Sequence, residues 1–181
     1  MKTRYLKVIG DIATPLPDRL QDESTHSLEL SNANYDKCTN ADYFIVENGV
    51  PRMRTQTEYD ALKLEQERAQ AKIDAWLKYR EIINDVYIES EGEKYAFDQM
   101  SLLLFLSQFT HTNGSGFAWK PKGKSKKQLT RPQLEAIFAT LTTVIESAFD
   151  AYDLDRTDIL DNDNFTMSNL DAVKAVQDAI K

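Results

Sequence analysis

Between Thr55 and about Tyr87 the chain contains neither glycine nor proline, and helix formers dominate. Thr55-Gln-Thr-Glu58 opens the run as a capping box: the Thr hydroxyl accepts from a free amide and the Glu side chain reaches back. The spacing therefore predicts one long helix. Along it, Tyr59, Leu62, Gln66, Ala69, Ile73, Trp76, Arg80, Ile83 and Tyr87 recur at alternating steps of three and four. That is a heptad-like seam, interrupted by Gln66 and Arg80. Asp74 and Lys78 sit one turn apart on the outside, in the favourable order. A helix of this length with a thinly apolar first half cannot bury itself alone. Another helix of the same chain, or a second copy, meets that need equally well. Tyr59, Leu62, Ala69, Ile73, Trp76 and Ile83 are the expected oligomer or partner seam.

Residues before the helix read as a small β-rich module. Arg4 to Ile9 is a short strand ended by Gly10, Thr14 to Thr25 a loop, and Ser27 to Leu30 a second strand. Tyr43 to Met53 is a hairpin, because Asn48-Gly49 suits a turn with positive φ at both central positions. Pro51 cannot donate to a ladder, so its strand belongs at an edge.

After the helix, Val86–Ser90 and Lys94–Phe97 form a second hairpin around Gly92. Asp98 caps a helix from Gln99 to about Phe109, apolar nearly all round and therefore expected to be central. A flexible loop follows from Thr110 to Lys127. Thr130-Arg-Pro132 opens a further helix whose stripe is Leu134, Ile137, Phe138, Leu141, Val144, Ile145, Ala148, Phe149 and Tyr152. Asn162-Asp-Asn164 breaks it, and Thr166 or Ser168 caps a last helix. The expected class is α+β: a β-rich docking module over 1–54, a long connector helix over 55–85, and a mainly helical domain with a short β-hairpin over 86–181.

Composition mainly excludes. With 181 residues, 41% hydrophobic and 28% charged, the chain has enough apolar material for a packed core, which argues against disorder. A formal net charge of -7 argues against general nucleic-acid binding. Cys38 is the one cysteine, which removes internal disulfides and Cys-rich zinc sites. Neither a signal peptide nor a membrane span is expected, and the most apolar run, Met100 to Phe109, is about half a span. A lone thiol suits a reducing compartment.

Three constellations invite chemistry. Asp153, Asp155, Thr157, Asp161 and Asn164 approach EF-hand spacing, but Asp158 stands where the loop needs Gly and Asn164 where it needs a bidentate Glu, so a solvated acidic helix end is the better account. Lys120, Lys122, Lys124, Lys126 and Lys127 follow Trp119 and could grip a nucleic-acid backbone, dock on an acidic neighbour, or balance the acidic stretch from Glu146 to Asp163. Cys38 with His26 or His111 could pair as nucleophile and base, although no helix N-terminus is aimed at the thiol. No Walker loop, dinucleotide fingerprint, nucleophile elbow or metalloprotease helix is present, so neither a cofactor nor a metal is expected.

Three passages in order carry a family resemblance. A β module ends in Tyr43-Phe-Ile-Val-Glu-Asn-Gly49 before Thr55-x-Thr-Glu-Tyr-x-Ala-Leu62. Lys78-Tyr-Arg-Glu-Ile-Ile83 leads to Val86-Tyr-Ile-x-x-x-Gly92 and Lys94-Tyr-Ala-Phe-Asp98. Phe117-x-Trp119, Leu129-Thr130, the helix from Pro132 and Asn164-Phe-Thr-x-Ser-Asn-Leu170 close the series. The chain resembles tail fibre and tail fibre assembly proteins of tailed phages and prophages, with the C-terminal helical domain of unknown function common there. The likeness covers roughly 72–181 and is looser before that. The lysine loop is longer and more basic than that pattern.

The resemblance implies a non-enzymatic structural role in the virion tail, as a tail fibre, fibre-connecting or baseplate-associated protein. It implies synthesis in the host cytoplasm, docking on other phage tail, baseplate or fibre subunits, and homo-oligomers with a trimer favoured. Neither a membrane nor nucleic acid is an expected partner. The alternative it leaves is a fibre assembly chaperone absent from the mature particle.

Overall fold

The computed structural model describes residues 1–112 and 116–181. The class is mixed α+β, as expected. The chain divides into two compact units, Met1–Glu67 and Arg68–Lys181, where the sequence suggests three segments. The long helix is the reason, for it is no unit of its own and is shared between both.

In the first unit, β1 (Lys2–Ile9) is central between β2 (Ile12–Pro15) and β3 (His26–Leu30), both antiparallel to it. The second half of β2 falls in the loop expected from Thr14, with Pro15 at its last position on the sheet edge, where a missing N–H is tolerated. A short helix missing from the sequence reading, α1 (Asn32–Lys37), begins at Ser31, whose hydroxyl accepts from the Asn34 amide at 3.2 Å. Its shortness hides it, since six residues hold too few turns to show a period.

β4 (Phe44–Glu47) and β5 (Val50–Met53) form the expected hairpin. Asn48 and Gly49 have φ of 52° and 80°, the left-handed pair that a two-residue turn requires. Leu6, Ala13, Leu30, Cys38 and Phe44 make the core of this unit.

α2 (Gln56–Asn84) starts on the predicted capping box: the Thr55 amide donates to Glu58 Oε2 at 2.8 Å, and the Glu58 amide to Thr55 Oγ1 at 3.3 Å. Arg52 clamps Glu58 at 2.6 Å and Glu47 at 2.5 Å. The Arg52 guanidinium, aided by the Thr55 amide, holds the Glu58 carboxyl down at about 2.

The second unit begins with the rest of α2. The helix stops at Asn84, short of Tyr87, because β6 (Asp85–Ser90) takes over and pairs with β7 (Glu93–Asp98). Glu91 and Gly92 turn that hairpin with φ of 51° and 73°. α3 (Gln99–His111) is capped by Asp98, which accepts from the Ser101 amide at 2.7 Å. The expected loop over 110–127 instead holds the end of α3 and most of a small hairpin, β8 (Ala118–Trp119) with β9 (Lys127–Gln128); its residues 113–115 lie outside the described residues. Gly116 is obligatory there, since a Cβ would stand 2.0 Å from the Leu129 carbonyl oxygen.

α4 (Arg131–Asp161) and α5 (Ser168–Ile180) complete the chain. Val86, Ile88, Tyr95 and Phe97 of the hairpin, Phe105 of α3, Phe117, Leu129, and Leu134, Ile137 and Leu141 of α4 form one cluster. Ala71, Ala75 and Ile82 of α2, Ala148, Ala151 and Ile159 of α4 and Leu170 of α5 form another.

Neither Thr166 nor Ser168 caps α5. Met167 holds the cap position with no side-chain bond, and the carboxylate comes from α4. Asp155, fully buried, accepts from the Asn169 amide at 3.1 Å, Asn169 Nδ2 at 2.7 Å and the Leu170 amide at 2.9 Å. A buried carboxylate is tolerated because donors surround it. At the other end of α5, Gln177 Oε1 accepts from the Tyr87 amide at 2.7 Å, satisfying an outward-facing group of β6.

Two predictions follow from these locks. Asp155→Ala should lower the unfolding free energy by about 2–3 kcal/mol, since the freed amides stay buried, and Asp155→Asn by less; urea titration of the full chain measures both. A depressed carboxyl stabilises the fold above its unfolded value of 4.5 and loses that contribution as pH falls toward about 2. Melting between pH 6 and pH 2.5 should therefore fall further for wild type than for Glu58→Gln.

Candidate interaction surfaces

Helix α2 faces inward along Ala71, Ala75 and Ile82, with Lys78 and Tyr79 half-buried beside them. That line is offset from the heptad-like seam by two residues, about 200° around the helix. The seam accordingly falls into three parts with different surroundings. Tyr59 stacks on Tyr43 within the first unit, at 4.5 Å between centroids and 9° between planes, and Leu62 is half-buried. Ile83 packs against the α2–α4–α5 cluster. Only the middle stays open: Ala69 is exposed, Ile73 is 53% exposed and Trp76 45%, with Leu77 beside them at 55%.

Trp76 is not isolated there. Its ring lies 5.7 Å from Tyr79 and 5.9 Å from Tyr152 of α4. Phe149, one turn before Tyr152, belongs to the expected α4 stripe but is 57% exposed. The α4 stripe is wider than the core it covers, and its edge falls on water.

Helix α3 also departs from expectation. Phe105 is buried and Leu102, Leu106 and Phe109 pack against the aromatic cluster, but Met100, Leu103 and Leu104 face out. Nothing described in this unit covers that second face, so a helix apolar all round ends up central on one side only.

The lysine loop is tied down. Trp119, just before the lysines, is half-buried against Phe97 at 5.9 Å and edge-on to Phe105 at 5.2 Å. The Lys122 amide donates to the Lys94 carbonyl at 2.8 Å, and its ammonium stands 4.6 Å from the Tyr87 ring centre. Lys124 pairs with Glu93 at 2.5 Å and lowers that carboxyl's pKa. Gly123, φ 71°, makes the turn. Among the described residues no ion pair joins this loop to the acidic stretch from Glu146 to Asp163. Lys120, Lys126 and Lys127 remain exposed.

Lys120 and Lys126 rim a groove of about 320 Å³, lined also by Ala96 of β7, Ser101, Leu104 and Gln108 of α3, and Ala118 and Trp119 of β8. The sequence held no pattern for it, since its walls come from elements far apart in the chain. Only the unexplained lysines pointed there.

The remaining candidates fall apart. Asp153, Asp155, Thr157 and Asp161 are helical, so they cannot wrap a cation as an EF-hand loop does, and Asp155 is spent on α5. Among the described residues no three His, Cys, Asp or Glu side chains are grouped to hold a metal. Cys38 is buried against Met53, Sγ to Sδ 3.4 Å, and burial raises its pKa. His26 Nδ1 meets Thr25 Oγ1 and His111 Nδ1 the Ser107 carbonyl. Among the described residues no helix is long and apolar enough to cross a membrane. No protein-family model, curated protein or solved structure matches the chain.

The role of Trp119 in the core is testable. Trp119→Ala should cost about 2–4 kcal/mol of stability, whereas Lys120→Ala with Lys126→Ala should change it by less than about 0.5 kcal/mol, both read by denaturant unfolding.

Proposed function

We propose that this protein is a structural component of a phage tail, a tail fibre, fibre-connecting or baseplate-associated protein, and that it works by docking on other proteins. The order of short motifs through residues 72–181 supports the family. The observation that carries the mode of action is the set of large apolar side chains left open in the second unit. Ile73, Trp76 and Leu77 of α2 make one group, Met100, Leu103 and Leu104 of α3 another, and Phe149 of α4 is open as well. Grouped apolar exposure of this kind marks partner surfaces.

In this reading the β-rich unit docks on a tail or baseplate component and the open faces of the second unit bind a fibre or adjoining subunit. Several copies meet in the assembled tail, a trimer being favoured. No catalytic step is required of any residue. The chaperone alternative uses the same faces, and Met100 favours it, because a flexible thioether suits a surface that repacks around a client.

Quantitative mass spectrometry of purified particles separates the two. Stoichiometric presence is expected for a tail component. Absence from particles, combined with co-purification with an unassembled fibre protein, would establish the chaperone instead. A chain found in neither fraction would overturn both.

A further inference from the structure

The groove between α3 and the β8–β9 hairpin has an apolar floor and a cationic rim. Leu104, 51% exposed, and the edge of Trp119 form the floor, and Lys120 and Lys126 the rim. Among the described residues neither lysine makes an ion pair or hydrogen bond, although Lys124 in the same loop is paired with Glu93. A ligand for this groove must bring carboxylates alongside apolar bulk.

The same chain carries such a surface. Glu146, Asp150, Asp153 and Asp161 recur along the solvent side of α4 at steps of four, three and eight, which aligns them in one stripe. Each is exposed, and among the described residues none of the four carboxylates is in an ion pair. Phe149 flanks the stripe on one side and Leu154, 59% exposed, on the other. A copy cannot seat its own stripe in its own groove. The first half of α4 is packed into the cluster behind the groove through Leu134, Ile137 and Leu141, and the unbroken helix carries the stripe onward on its solvent side.

We propose that copies of this chain associate head to tail, the acidic stripe of α4 in one copy seating in the lysine-rimmed groove of the next. Carboxylates meet Lys120 and Lys126, and Phe149 or Leu154 covers Leu104 and Trp119. The two patches differ, so the contact is heterologous and forms a ring where the rotation closes. The contact deepens the multi-copy tail reading and rests on it for its setting only.

Sedimentation of the purified full chain tests it, over a range of concentration and salt. Wild type should grow in mass with concentration and return to monomer at about 1 M salt, where screening is nearly complete. Lys120→Glu with Lys126→Glu should weaken association at least about tenfold, as should Asp150→Lys with Asp153→Lys, because like charges then face each other. Mixing the two variants restores opposite charges wherever the variants alternate, so hetero-association into pairs or alternating chains should return even where an odd-membered ring cannot close, which also shows that both are folded. A monomeric wild type overturns the proposal. So does an oligomer indifferent to salt and to both pairs of substitutions, or a mixture that fails to reassociate. None of these outcomes touches the tail reading, whose test is the composition of the particle, and absence from the particle leaves this contact standing.

Discussion

The second unit hangs on α4. Its 31 residues extend about 46 Å, more than one small core can cover. The helix solves this by serving two. Its first half carries large residues, Leu134, Ile137 and Leu141, into the aromatic cluster with the hairpin and α3. Its second half carries small ones, Ala148 and Ala151, facing Ala71 and Ala75 of α2 in the other cluster. Asp155 then supplies the α5 cap, and Gln177 of α5 satisfies the Tyr87 amide of β6. Damage to α4 therefore reaches α5 and the hairpin through named hydrogen bonds, besides any loss of packing.

Charge is distributed by use. Pairs such as Lys78–Asp171, Lys174–Glu81 and Lys124–Glu93 tie elements of the second unit together at 2.5 Å. Each is exposed enough that its contribution is small. Among the side chains left out of such pairs are Lys120 and Lys126 at the groove rim and Glu146, Asp150, Asp153 and Asp161 along α4. The net charge of -7 thus describes no single face.

Much of the fold was legible because local chemistry decided it. Asn48-Gly49 and Glu91-Gly92 turn their hairpins through left-handed backbone, which few residue pairs adopt at low cost. Thr55 with Glu58, and Asp98 with Ser101, start helices by bonds within four residues. The long period of α4 was equally plain. The candidate surfaces were less legible. Ile73 and Trp76 are apolar at helical spacing, but periodicity is silent about which apolar line wins the core. Ala71 and Ala75 win it, though their side chains are small.

What the residues alone decide here is the two tight turns, the long helices α2 and α4 and the starts of α2, α3 and α4, since each depends on neighbours in the chain. What packing decided is which face each helix turns inward. It left Met100, Leu103 and Leu104 outside, drew Trp119 into the core, assigned the cap of α5 to Asp155 fourteen residues earlier, and opened the groove beneath Lys120 and Lys126. Those outcomes depend on surfaces from segments distant in sequence meeting and competing for a limited core, and no local pattern encodes the result of that competition.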